Sequence, residues 1–168
     1  MDRVSYNSLL GLYRVLSLVF LLLTSLVHAE ERSENMDLKA LLVPAAQLKE
    51  RLDQNPSDYE ALQGLGIVYH NMALKDFKAY AKKAAQYLEQ AYQKKPDDNV
   101  ALCYLGSAYT MLAKDAWNPM SKLSYVNKGI ECMDKAVRKD PDNITMRLTR
   151  ANNSKALPKF LNRGSIAY

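Results

Sequence analysis

Asn55-Pro56…Leu65-Gly66…Tyr69 returns forty residues later as Lys95-Pro96…Leu105-Gly106…Tyr109. In both copies the Leu-Gly pair starts nine residues after the proline, and the tyrosine follows three after the glycine. Each copy closes on an alanine five residues before the next proline: Ala91 before Pro96, and Ala136 before Pro141. A recurrence of this size marks a helical solenoid, whose units stack because none can bury its apolar face alone. Such units normally bind another polypeptide and do no chemistry. The repeat thus points to a class of function and leaves the partner open.

Working outward, each copy divides into two helical patterns. Helix A of the first carries Tyr59, Leu62, Leu65, Gly66 and Tyr69, and its helix B carries Ala84, Tyr87, Leu88 and Ala91. The second helix A carries Leu102, Leu105, Gly106 and Tyr109, and its helix B carries Gly129, Ile130, Met133, Ala136 and Val137. Asn55-Pro56-Ser57-Asp58, Lys95-Pro96-Asp97-Asp98 and Asp140-Pro141-Asp142-Asn143 read as turns that lead into helix starts. A last helix is expected from about Ile144 to Ala156, stopped by Pro158. Upstream, the spacing of Leu38, Leu41, Leu42, Ala45, Leu48 and Leu52 makes one helical stripe, with Asp37 placed to cap it. Pro44 is expected to kink or break that helix.

These residues resemble the tetratricopeptide repeat. The resemblance implies an all-α fold: a short α-solenoid of helix-turn-helix repeats, at about 59–96 and 99–141, with a C-terminal capping helix and tail at 144–168. The family's repeat spans 34 residues, whereas the turn prolines here lie 40 and 45 apart. The extra residues, Met72–Phe77 and Met111–Trp117, are read as extending helix A by about two turns and displacing the inter-helix loop outward. From Asn118 to Arg163 the chain also resembles the end of a group of small exported bacterial repeat proteins, which implies an address and no activity.

The first 29 residues are of another kind. Val15–Val27 is a 13-residue run of almost wholly apolar side chains, followed by Val27-His28-Ala29 and then the polar Glu30-Glu31-Arg32. That is the pattern of a cleaved signal, expected to leave Glu30 as the first residue. The run is short for a membrane span of about 20 residues, and an uncleaved anchor is the alternative. Residues 30–36 read as a linker and 37–168 as the repeat domain. Loss of Arg3, Arg14 and Asp2 would leave 21 basic and 17 acidic side chains, well interleaved. Nucleic-acid binding wants a concentrated basic stripe and is not expected. The implied address is exported, in the periplasm or outside the cell, with membrane contact only through an uncleaved signal.

The composition offers little chemistry. No nucleophile elbow, metalloprotease or phosphate-loop motif is present, so neither an enzyme nor a cofactor site is expected. Cys103 and Cys132 each lie three residues from a helix-contact glycine, which turns them to opposite sides of the helix pair. Two small half-buried thiols are expected, with a disulfide or a metal site as the open alternatives. By the resemblance, the partner-facing residues are Glu60, Gln63, Ile67, His70 and Asn71 in the first unit. In the second they are Val100, Cys103, Ser107, Thr110 and Met111. His70, the one histidine beyond residue 29, is read as exposed. Arg147, Arg150 and Arg163 form a cluster that is either an anion site or a cap pinned to acids such as Asp134 or Asp115.

The reading that follows is a protein-interaction or scaffolding module of a bacterial cell envelope, binding a partner peptide or helix on its concave face. The alternative is a small-ligand carrier or accessory subunit with a pocket under the inserts, lined by Phe77, Trp117 and the arginines. Two further expectations concern packing: Gly106 faces Gly129, and Trp117 and Phe160 are buried as closures of the short solenoid.

Overall fold

The computed structural model describes residues 16–17, 19–21, 23–24 and 38–157. The chain divides into two units, Met1–Ala40 and Leu41–Tyr168. In the first, the described positions between 16 and 24 are helical, and no described helix is long and apolar enough to cross a membrane. Asp37, Phe160 and Arg163 lie outside the described residues, as do Val27–Glu30.

Six helices account for the rest: α1 (38–54), α2 (Tyr59–Ala73), α3 (Phe77–Lys94), α4 (Asn99–Asp115), α5 (Pro119–Lys139) and α6 (Ile144–Ala156). The last coincides with the expected terminal helix. Each of the three proline turns closes with a backbone bond from its fourth residue to its first: Asp58 to Asn55 at 3.0 Å, Asp98 to Lys95 at 3.0 Å, Asn143 to Asp140 at 3.4 Å. Proline suits the second place of such a turn because its ring already fixes φ there. The fourth residue then caps the next helix. Asp58 accepts from the Ala61 amide, Asp98 from Val100 and Ala101, and Asn143 from Met146. One four-residue phrase thus ends a helix, turns the chain and starts the next helix, three times over.

Within each unit the helices pack where the sequence has small residues. A Cβ on Gly106 would lie 2.6 Å from the Gly129 carbonyl oxygen, and one on Gly129 would lie 2.6 Å from that of Gly106. The two backbones touch directly, as expected. In the first unit Gly66 receives the Leu88 side chain instead, with Cγ 2.6 Å from where a Cβ would stand. The signature residues Leu65, Tyr69, Ala84, Leu88, Leu105, Tyr109, Met133 and Ala136 are all buried. Tight interdigitation of this sort gives protein interiors their density.

Helix α1 is unbroken through Pro44, rather than divided in two. A proline deletes a single backbone bond, and buried Ala45 together with half-buried Leu48 fixes the turns beyond it. The helix behaves as the second helix of a preceding unit. Its Leu48 and Lys49 stand forty residues before Leu88 and Glu89, and 85 before Met133 and Asp134. Lys49 bonds to the Tyr69 hydroxyl, as Glu89 does to that of Tyr109. At the third such socket Asp134 meets Arg150 at 3.7 Å. The expected pairing of an arginine with an acid is therefore present, and Arg150 takes the place that Leu65 and Leu105 hold in the earlier units.

The inserts are shared between helices rather than given to helix A alone. α2 and α4 have 15 and 17 residues, while α3 and α5 have 18 and 21. The connections, at 74–76 and 116–118, are tight. A short turn between antiparallel helices forces any added length to be divided between both, so the loop is not pushed outward.

Candidate functional site

The longest overhang creates the site. Asn118 caps α5, accepting from the Ser121 amide at 2.7 Å, and Pro119 occupies the first helical turn, where its missing N–H costs nothing. The extra turns of α5 then run alongside the end of α4, while the end of α6 lies on the other side. Between them opens a cavity of about 540 Å³. Its walls include Met111, Leu123, Val126 and Leu157, and Leu74 reaches it from the α2–α3 turn. Among the described residues its only charged members are Lys114 and Lys122. The Lys114 ammonium sits 5.7 Å from the centre of the Phe77 ring, which steadies it at the rim.

The mouth continues into exposed apolar surface. Leu74 is 65% exposed and Leu123 44%, and beside them in sequence Met120 and Trp117 are also open to solvent. Trp117, expected to be buried, is 92% exposed. It sits in the turn before the Asn118 cap, outside either helix, so no packed face claims it. Neither Trp117, Phe77 nor any arginine is among the described cavity-lining residues. The cavity was legible as a space under the inserts, but its lining was not.

The expected partner-facing stripe is mostly interior. His70 is only 4% exposed, Ser107 1%, and Cys103, Thr110 and Met111 are buried as well. Helix α6 and the α2–α4 contact cover them. His70 Nε2 lies 2.7 Å from Ser107 Oγ, and its Nδ1 lies 3.3 Å from Asn71 Oδ1. The amide oxygen can only accept, so Nδ1 carries the hydrogen and Nε2 accepts from the serine hydroxyl. Asn153 of α6 donates to Ser107 Oγ at 2.9 Å, and Thr110 Oγ1 bonds to Asn153 Oδ1. Burial holds the imidazole below its ordinary pKa, only partly opposed by its bond to Asn71. A serine–histidine pair is the beginning of a hydrolase nucleophile, but here no carboxylate orients the ring and the serine is shut from solvent. The arrangement is a polar joint across α2, α4 and α6. Its signal in the sequence was His70 and Ser107 falling on matching stripes of consecutive A helices.

The other candidates are scattered. Gln63 bonds with Tyr59 to Asp98, tying α2 to the α4 cap. Glu60 is exposed, while Ile67, Asn71 and Val100 are half-buried. Arg147 is exposed and Arg150 is bound to Asp134, so the described arginines do not converge on an open anion site. Cys103 and Cys132 are both free, the first buried and the second half-buried. Burial pushes the Cys103 thiol up to about 12 and raises Cys132 as well. No group of metal-ligating side chains occurs among the described residues.

The plant-specific mitochondrial import receptor subunit TOM20 family is described by a model that matches residues 35–162. Among solved structures, a thermophilic tetratricopeptide repeat protein of Thermus thermophilus is similar, at a TM-score of 0.59 and 20% identity. That match covers 73% of this chain and spans only 60% of the Thermus one. At this identity the likeness speaks for the fold alone, and the fold is a tetratricopeptide-type solenoid. No curated protein matches.

Proposed function

The chain belongs to the plant-specific TOM20 import-receptor family, and on that premise we propose that it is a receptor module that binds a segment of a partner polypeptide in the apolar cavity between α4, α5 and α6. The observation that carries this is the continuity of the cavity with exposed Leu74 and Leu123. A helix laid along a groove buries apolar side chains at one-turn intervals and would cover both the hole and its rim. Isolated apolar side chains on a surface are ordinary, but a patch that opens into a hole is a docking feature.

The second reading, a small-ligand carrier, draws on the cavity volume, which lies in the range of small-molecule sites. A small apolar molecule inside the cavity would leave Leu74 and Leu123 uncovered, which favours the peptide. The test is titration of the full chain with a helical peptide bearing a leucine stripe and uncharged glutamine elsewhere, followed by calorimetry. Saturable binding is expected, with loss of at least tenfold in affinity for Leu123→Asp and an unchanged melting temperature. Tight binding of a fatty alcohol with no response to the peptide would favour the carrier.

For the address, we propose a membrane-associated receptor whose residues 1–34, outside the family match, deliver or hold the helical domain. The family's description as an import receptor supports a mitochondrial setting. The apolar run 15–27 supports a targeting segment, retained or cleaved. The bacterial-envelope setting draws its support from the Val27-His28-Ala29 pattern alone. Subcellular fractionation with N-terminal sequencing separates these. A chain retaining residues 1–29 on mitochondria fits the receptor, and secreted material beginning at Glu30 fits export.

A further inference from the structure

The receptor reading gives a site but not the chemistry of what enters it. That chemistry is written in the charges. Lys114 stands two residues before the α4–α5 turn at 116–118, and Lys122 stands four after it. Antiparallel helices bring the two to one end of the cavity, the end at the turn. No aspartate or glutamate is among the described lining residues. Asp115 follows Lys114 but does not face the cavity. The opposite end, at Val126 and Ala156, is uncharged.

We infer that the cavity selects an acidic amphipathic segment: one whose apolar side chains fill the space beside Leu123 and Val126 while a carboxylate one or two turns away meets Lys114 and Lys122. The inference rests on the receptor reading and adds a sign and a direction to it. A basic amphipathic segment would bring like charges to the same rim and be disfavoured. Two exposed lysines act through partly screened attraction, each of modest strength. Together, and with repulsion of the wrong sign counted, they are worth about tenfold in preference at low salt. Phe77 matters here because its ring fixes one of the two cations in place before a ligand arrives. A tethered ammonium gives up less rotamer freedom on binding than a free one.

The experiment uses two helical peptides with the same leucine stripe, one with glutamate and one with lysine at the polar positions near its ends. Trp117 is the single tryptophan of the chain. It borders the site, so its emission reports binding without a label. The glutamate peptide is expected to bind about tenfold more tightly at low salt, with the preference shrinking towards 1 M salt. The double variant Lys114→Glu, Lys122→Glu should reverse the order. Saturable binding with equal or inverted preference overturns the charge selection and leaves the receptor reading standing. Saturable binding by neither peptide overturns both. Displacement of the glutamate peptide by anionic phosphatidylglycerol vesicles would assign the patch to a membrane surface and overturn the inference.

Discussion

Phe77 and Trp117 stand eight residues after Tyr69 and Tyr109, in the same place of two copies of one motif, and meet opposite fates. Phe77 packs with Ala73, Ala81 and Met111, whereas Trp117 projects into solvent. The difference comes from the capping residue. In the first unit Asp76 caps α3 and Phe77 is its first residue; in the second, the cap is Asn118, one place after the tryptophan. An aromatic ring inside a helix inherits that helix's packed face, and one left in the turn does not. A shift of two positions in the cap thus turned a core residue into a surface one, next to an unfilled cavity.

The backbone contact of the second unit offers the hardest test of that contrast. Gly106→Leu should cost about 3 kcal/mol in urea unfolding, because a carbonyl oxygen cannot yield as a side chain can. A parent-like midpoint would mean that the two helices do not touch at these glycines. Next, Phe77→Ala should cost about 2 kcal/mol, less than a fully buried phenylalanine because the ring is half-buried. Trp117→Ala should stay within about 0.5 kcal/mol of the parent. Equal losses at the two aromatics would erase the distinction between them.

A smaller effect concerns His70, which belongs to the joint between the units. Its folded-state pKa lies below the ordinary value of about 6.5. The unfolded chain then binds the extra proton first, so stability is complete above about pH 6.5 and declines as pH falls through that value towards the folded pKa. Unfolding at pH 7 and pH 5.5 should show the decline, and His70→Gln should flatten it. The smallest effect is chemical. At pH 8 iodoacetamide should modify native Cys132 slowly and Cys103 hardly at all, since the thiolate is the reactive form and burial pushes the Cys103 thiol up to about 12. Equal labelling would place Cys103 outside the core.

Much of the fold was legible because it depends on local chemistry repeated in register. The proline turns, their caps, the close approach of Gly106 and Gly129, the end helix and the Asp134–Arg150 pair all follow from residue types at fixed spacing. The partner face was harder to read. Whether Ser107 and Thr110 look out or in depends on where α6 lies, and Asn153, which bonds to both, carries no motif. The cavity is a mismatch in helix length, visible only once the inserts are apportioned between the two helices of a pair. Pro44 was over-read: one missing backbone bond weighed less than the packing around it.

The three sockets at Lys49, Glu89 and Asp134 have a consequence for how the chain finds its order. Units built on one motif can stack out of sequence, within a chain or between two chains. Here α1 is confined to first place. Set against α4, Lys49 would arrive beside the Tyr109 hydroxyl, where the Lys128 ammonium already sits over the ring at 4.6 Å. Set against α6, it would meet Arg150. Either exchange places two cations together at a partly buried contact. Only α2, whose Tyr69 hydroxyl bonds to Lys49 in the folded chain, offers it a compatible surface. The charges thus act as an address label for each helix, one that a swapped dimer or a misthreaded intermediate would have to violate.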